Sequence, residues 1–287
     1  MRDGFLRVAA ATPSVRVADP AYNREQIETI IRSEAARGTK VLVFPELALS
    51  AYTCGDLFLQ DALQEAVLRE LRQLLHNTAD SEVLCFVGLP FAFENRLYNA
   101  VAVFQKGELL GLVPKLHIPN YGEFYERRYF TPGFEAPVLV PLFGERLPFG
   151  ARLLFSCESL PELKIGVEIC EDLWVPNAPS IDLCTAGATL IVNCSASNAL
   201  AGKRKARREL VKAQSSKLLA GYVYASAGEG ESTQDLVFSA HNLIAEAGEV
   251  LAESPLLTNT VVASELDLKK ILFLRRQRVE FVLRHRL

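Results

Sequence analysis

Three apolar runs in this 287-residue chain end in a reactive side chain. Ile165, Val167 and Ile169 alternate as a strand would, and the run stops at Cys170, with Glu171, Asp172 and Trp174 beyond it. Val41-Leu-Val-Phe-Pro-Glu46 delivers a carboxylate, and Leu110-Gly-Leu-Val-Pro-Lys115 delivers an ammonium. A thiol at a strand end, ahead of a turn, faces a cleft while its backbone is held rigid. Free N–H groups at such a turn stabilise a thiolate or an oxyanion. If the three strands end at one edge, Glu46, Lys115 and Cys170 converge. Glu46 then takes the thiol proton and later delivers it to a leaving amine, while Lys115 lowers the thiol pKa and stabilises the oxyanion. The target of such a set is a carbon–nitrogen bond at an amide or nitrile carbon. Spacing alone leaves a second reading open, in which Cys170 is a core thiol and Glu46 and Lys115 are solvated.

The elements that must position these residues alternate between strand and helix. Strands are expected at Phe5–Ala11, Lys40–Phe44, Val83–Leu89, Tyr98–Gln105, Leu109–Val113, 163–169, 188–194, 221–227 and 260–265. Helices are expected at Asn23–Arg37, Ala62–Leu75, 178–186, 203–219 and about 267–285, with Gly38 as a stop signal after the first. A hairpin is expected near 236–253. Lys115–Phe149 is rich in Pro, Gly and aromatics and reads as a long functional loop. This alternation indicates a layered α/β fold, and without repeats or an internal linker one domain spans 1–287.

Composition narrows the function class. A net charge of −3 gives no global attraction to nucleic acid or anionic membrane. The basic run Lys203-Arg-Lys-Ala-Arg-Arg208 lacks interleaved aromatics and reads as a solvated helix face. No apolar stretch reaches the roughly 18 residues of a membrane helix, and the N-terminal run is too short for a signal peptide. Six cysteines without a CxxC pair point to reduced thiols and a cytoplasmic location, and four scattered histidines argue against a zinc site.

Longer strings carry a resemblance. Phe44-Pro-Glu46, Pro114-Lys115 and Glu168-Ile-Cys-Glu-Asp172 resemble the Glu-Lys-Cys pattern of the nitrilase superfamily. Pro45–Phe58, Lys115–Phe130, Cys170–Pro176 and Ala227–Leu236 resemble the glutamine amidotransferase domain of glutamine-dependent NAD synthetases, and the similarity covers essentially the whole chain. The resemblance implies an α-β-β-α four-layer sandwich that assembles into homo-oligomers. It implies hydrolysis of L-glutamine to glutamate and ammonia through a Cys170 thioester, with Glu126 as a second glutamate beside the triad. It implies a glutamine pocket lined by Tyr52, Tyr121, Phe124, Glu171 and Ser197, with Glu171 and Ser197 holding the α-amino group. Lys203 departs from the family, which often has an arginine there. A lysine is a point charge where an arginine is a bidentate fork, and neighbouring Arg204 is the candidate substitute. No cofactor is implied for the hydrolysis. ATP and magnesium belong to a C-terminal synthetase domain whose Ser-Gly-Gly-x-Asp-Ser loop this chain lacks. Ammonia would pass to such a domain in cis or in trans. A stand-alone amidase or carbamoylase acting on another small amide, and a non-catalytic domain that supports a synthetase, are the alternatives.

Overall fold

Alternation within each strand sorts apolar residues onto two faces, and the destination of those faces sets the architecture. The computed structural model describes residues 4–278. The chain runs β1 (Phe5–Ala11), α1 (Pro20–Ala36), β2 (Val41–Val43), α2 (Asp61–Asn77), β3 (Leu84–Phe93), β4 (Arg96–Gln105) and β5 (Glu108–Pro114). It continues through β6 (Asn120–Tyr121), β7 (Phe124–Tyr125), β8 (Val138–Leu142), β9 (Glu145–Phe149), β10 (Phe155–Cys157) and β11 (Leu160–Ile169). Then come α3 (Pro179–Thr185), β12 (Leu190–Ser195), α4 (Lys203–Leu218), β13 (Gly221–Ser226), β14 (Leu243–Glu246), β15 (Glu249–Glu253), β16 (Val261–Asp267) and α5 (Leu268–Arg276).

An eight-stranded sheet has the order β16-β1-β2-β3-β4-β5-β9-β8, and a six-stranded sheet the order β10-β11-β12-β13-β14-β15. In β1, Leu6, Val8 and Ala10 join Val43, Val101, Val167, Val192 and Val223 in the core between the sheets. Ala9 and Ala11 point the other way and pack with Ile27 and Ile31 of α1 and Val67 and Leu71 of α2. On the second sheet, Ile191, Tyr222 and Tyr224 face outward onto Leu183 of α3 and Val211 of α4. Helices, sheet, sheet and helices therefore form four layers, as the sequence led us to expect.

Two expectations needed correction. Lys115–Phe149 is not a bare loop: it holds the β6–β7 hairpin and the pair β8–β9, which extends the first sheet beyond β5. Pro141 and Pro148 sit in that pair, which occupies the sheet edge, where a missing N–H is tolerated. The 236–253 hairpin begins only at Leu243 and turns through Ala247 and Gly248, both at positive φ. The last helix is seen as α5, and the part of it expected over 279–285 lies outside the described residues.

Candidate active site

The strand-end carboxylate and ammonium arrive at one place. Lys115 Nζ lies 2.6 Å from Glu46 Oε1 and 2.8 Å from both carboxylate oxygens of Glu126. Lys115 and Glu46 are fully buried, and Glu126 is 5% exposed. Asn99, on β4, donates to Glu46 Oε1 at 2.6 Å, and Tyr52 donates its hydroxyl to Glu126 Oε1 at 2.8 Å. The Ala196 N–H, just beyond β12, donates to Glu46 Oε2 at 2.9 Å and so joins the second sheet to the cluster. Neighbouring Arg127 donates to the Ile118 carbonyl and Arg128 pairs with Asp56, so neither competes for Glu126.

Two glycines make this convergence possible. A Cβ on Gly88 of β3 would lie 2.2 Å from the Leu47 nitrogen and 2.5 Å from the Pro45 carbonyl oxygen, so only glycine lets the Glu46 turn cross that strand. A Cβ on Gly133 would meet Pro114 at 2.7 Å and the Lys115 carbonyl oxygen at 2.9 Å. The Gly133 N–H donates to that same oxygen at 2.8 Å.

Cys170 follows β11 with φ 45°, in the left-handed region that costs an L-residue about 1–2 kcal/mol. Hydrogen bonds on either side hold it there. Its own N–H donates to Asn193 Oδ1 at 3.1 Å, and the Ile169 N–H donates to Asp172 Oδ2 at 3.0 Å. Asp172 also accepts the His117 N–H at 2.8 Å and faces His117 Nδ1 at 2.9 Å, so one buried carboxylate ties the strand leaving Lys115 to the strand reaching Cys170.

Lys115 lowers the Cys170 pKa as expected, but burial outweighs it. Burial pushes the Cys170 thiol well up and Glu46 pushes it the same way; the opposing pull of Lys115 is smaller. Burial works against the Lys115 ammonium, yet Glu126 and Glu46 hold it well above its ordinary pKa. Burial raises Glu126 to about 7, against the pull of Lys115 and with the push of Glu46. Lys115 therefore stays charged between two carboxylates that compete for it.

The other expected substrate residues make a second set of contacts. Tyr121 donates its hydroxyl to both Glu171 oxygens, at 3.0 and 2.9 Å. The Lys203 ammonium lies 5.5 Å from the Phe124 ring centroid and 5.4 Å from that of Trp174, and it donates to Asn198 Oδ1. Burial lowers the Lys203 pKa, with Cys170 among the groups acting against that. Arg204 does not substitute for it: half-exposed, it pairs with Glu253 at 2.9 Å. Ser197 Oγ accepts two bonds from Arg207, at 3.2 and 2.9 Å. Arg207 also corrects the reading of its helix as a solvated face, since it is 1% exposed. A cavity of about 130 Å³ adjoins the cluster, lined by Tyr52, Phe58, Glu123, Tyr125 and Glu126 among others.

Sequence reasoning missed Asn99, Asp172, Trp174, Asn193, Arg207 and Glu231. The Glu231 carboxylate accepts the N–H groups of Tyr52 and Thr53 at 2.7 and 3.0 Å and so fixes the segment that carries Tyr52. A signal existed for two of them. Asn99 and Asn193 interrupt the apolar strands Leu97–Phe104 and Leu190–Cys194, and a buried amide needs partners.

Residues 7–276 match the carbon–nitrogen hydrolase family. Over 264 residues, the chain is 42% identical to a glutamine-dependent NAD(+) synthetase of Mycobacterium bovis, covering 92% of this chain and 39% of that protein. The crystal structure of a glutamine-dependent NAD(+) synthetase from Cytophaga hutchinsonii superposes with a TM-score of 0.82 at 26% identity, over 91% of this chain and 43% of that one. An amidase from Nesterenkonia sp. AN1 shares the fold, with a TM-score of 0.75 at 19% identity, over 99% of this chain and 98% of the amidase. This chain thus spans about two-fifths of the synthetases it resembles. With its family match, its four layers and its buried glutamate–lysine cluster at the foot of a strained cysteine, the chain belongs to the carbon–nitrogen hydrolase family.

Proposed function

We propose that the chain hydrolyses L-glutamine to glutamate and ammonia through a γ-glutamyl thioester on Cys170. The ammonia would serve a synthetase domain, in cis or in trans, that uses ATP and magnesium to amidate nicotinic acid adenine dinucleotide. The observation that carries this reading is Lys115 gripped between Glu46 and Glu126 in a chain 42% identical to a glutamine-dependent synthetase.

In the proposed step the Cys170 sulfur attacks the amide carbon as Glu46 takes the thiol proton. The Lys115 ammonium stabilises the oxyanion that develops on the carbonyl oxygen. The carbon–nitrogen bond breaks as Glu46 returns its proton to the departing nitrogen, and ammonia leaves. Water then attacks the thioester with Glu46 again as base, releasing glutamate and restoring the thiol. Glu126 and Asn99 hold Lys115 and Glu46 in register through both halves. Acid, base and charge stabilisation all come from side chains, so the proposed hydrolysis calls for no metal or organic cofactor.

At the substrate end, Glu171 pairs with the α-ammonium group and Lys203 with the α-carboxylate. Tyr52, Tyr121 and Phe124 form walls, and Ser197, held by Arg207, joins Glu171 at the α-ammonium group. The second reading is an amidase for another small amide, because the Nesterenkonia amidase consists almost entirely of this fold. Ammonia release from glutamine, set against a panel of small amides, separates the two. Cys170→Ala should abolish release while the protein stays folded, and a glutamine-mimicking electrophile should mark Cys170 in the parent protein. An adduct on Cys157, Cys184 or Cys194 instead would overturn the assignment. If no amide is turned over, the chain is left as a non-catalytic support for a synthetase.

A further inference from the structure

Behind the cysteine, on the helix-covered face of the second sheet, lies a polar chain that the hydrolysis does not use. Asn193 Oδ1 accepts the Cys170 N–H at 3.1 Å and the Ser195 hydroxyl at 2.6 Å. With its oxygen so committed, the amide nitrogen of Asn193 donates to the Tyr222 hydroxyl at 3.1 Å. That hydroxyl donates to Glu168 Oε1, and the Ser180 N–H of α3 donates to Glu168 Oε2 at 2.9 Å. Glu168 and Asn193 are cross-strand neighbours on parallel β11 and β12. Tyr222 and Asn193 are fully buried, and Glu168 is 1% exposed.

A carboxyl in such a place does little for the fold. Burial disfavours its charged form, and an apolar side chain of similar size packs as well or better. What the carboxyl adds is direction. An acceptor at Glu168 orients the Tyr222 hydroxyl, which leaves its lone pair toward Asn193, which turns its carbonyl to the Cys170 N–H. Every donor and acceptor along the chain is assigned one way. The terminal bond lands on the residue whose left-handed φ aims the thiol.

Resting on the reading of Cys170 as nucleophile, we propose that Glu168, Tyr222 and Asn193 form a positioning relay that holds the Cys170 backbone in its attacking conformation. None of the three touches the substrate. They act through the Cys170 N–H, so their loss appears in the chemical step and in thiol reactivity and leaves substrate affinity unchanged.

The test measures kcat and KM for ammonia release, together with the rate at which iodoacetamide alkylates Cys170, located by mass spectrometry. Tyr222→Phe and Glu168→Leu should lower kcat about 10-fold or more, because a small displacement of a reacting atom is costly in rate, while KM stays within about 2-fold. Alkylation of Cys170 should slow in parallel. Glu168→Gln keeps an acceptor for the Tyr222 hydroxyl and should recover most of the loss. A folded Tyr222→Phe protein with unchanged kcat and alkylation rate would overturn the relay, as would a rise in KM alone. If Tyr222→Phe does not fold, Asn193→Ser decides: its shorter side chain withdraws the acceptor from the Cys170 N–H, and unchanged alkylation there would overturn the relay. The two readings fail separately. A parent protein that releases no ammonia from glutamine, yet shows the alkylation differences, loses the glutaminase reading and keeps the relay. An active parent without those differences loses only the relay.

Discussion

Lys115 and Glu46 are fully buried and lie 2.6 Å apart, whereas Tyr121 is 57% exposed and Glu171 and Lys203 are half-buried. Lys115 follows β5 and Glu46 lies just beyond β2, with Asn99 and Ala196 bonded to Glu46 and Tyr52 bonded to Glu126. Tyr121, Glu171 and Lys203 sit on a two-residue hairpin, in a single turn after Cys170 and at the first residue of α4. Reacting groups need fixed geometry, and a buried charged network supplies it at the cost of desolvation. Substrate-binding groups must admit and release a polar molecule, and loops on a rigid frame allow that.

The sharpest way to break the comparison is at its buried end. Lys115→Met and Glu46→Gln should each lower kcat by about 10²–10³-fold, the scale of a lost oxyanion or acid–base group. Near-normal steady-state kcat in either protein would remove that residue from the mechanism. Gly88→Ala tests the frame and not the chemistry. Its methyl would lie 2.2 Å from the Leu47 nitrogen, so stability should fall by about 3 kcal/mol and activity with it, read by urea denaturation and ammonia release. An active protein of ordinary stability would show that the Glu46 turn is less tightly built than its packing indicates.

The buried side also carries a pH signature. Burial raises Glu168 from 4.5 to about 7, so the folded protein keeps that proton to higher pH than the unfolded chain does. Its contribution to stability is whole below pH 4.5 and is lost as pH rises through about 7. Relative to the parent, Glu168→Gln should therefore gain up to about 3 kcal/mol between pH 4.5 and 8, measured by denaturation across that range. A difference independent of pH would mean that Glu168 ionises as freely in the fold as outside it.

The smallest effect belongs to the open side. Lys203→Ala should raise KM for glutamine about 10-fold with kcat within about 3-fold, since a charged hydrogen bond to substrate is lost and the triad is untouched. Lys203→Arg should restore KM. A matching fall in kcat would show that the two sides of the site are coupled and not separately built.

Much of this was legible in the chain alone. Apolar residues at alternate positions, Leu6, Val8 and Ala10 in β1 and Ile165, Val167 and Ile169 in β11, mark those strands, because one face of each must be buried between the sheets. Glu46, Lys115 and Cys170 stood out because each interrupts an apolar run at its end, and the longer strings carried the resemblance that named Glu126. The pair β8–β9 was hidden because its prolines contradict a strand in isolation and are tolerated only at the edge that the fold supplies. Arg207 was hidden inside a run of solvated bases, since its burial depends on how Ser197 and Asn198, just beyond β12, and His241, 34 residues past Arg207, fold onto it. Local pattern thus marked most of the strands and the layered α/β alternation, the resemblance supplied the four-layer sandwich, and the residues ending three apolar runs became the candidates Glu46, Lys115 and Cys170. Tertiary structure alone decided which carboxylates share Lys115, that burial raises the Cys170 thiol pKa, and which buried amide bonds its backbone. Those outcomes depend on distance and desolvation between segments tens to hundreds of residues apart, and local sequence pattern encodes neither.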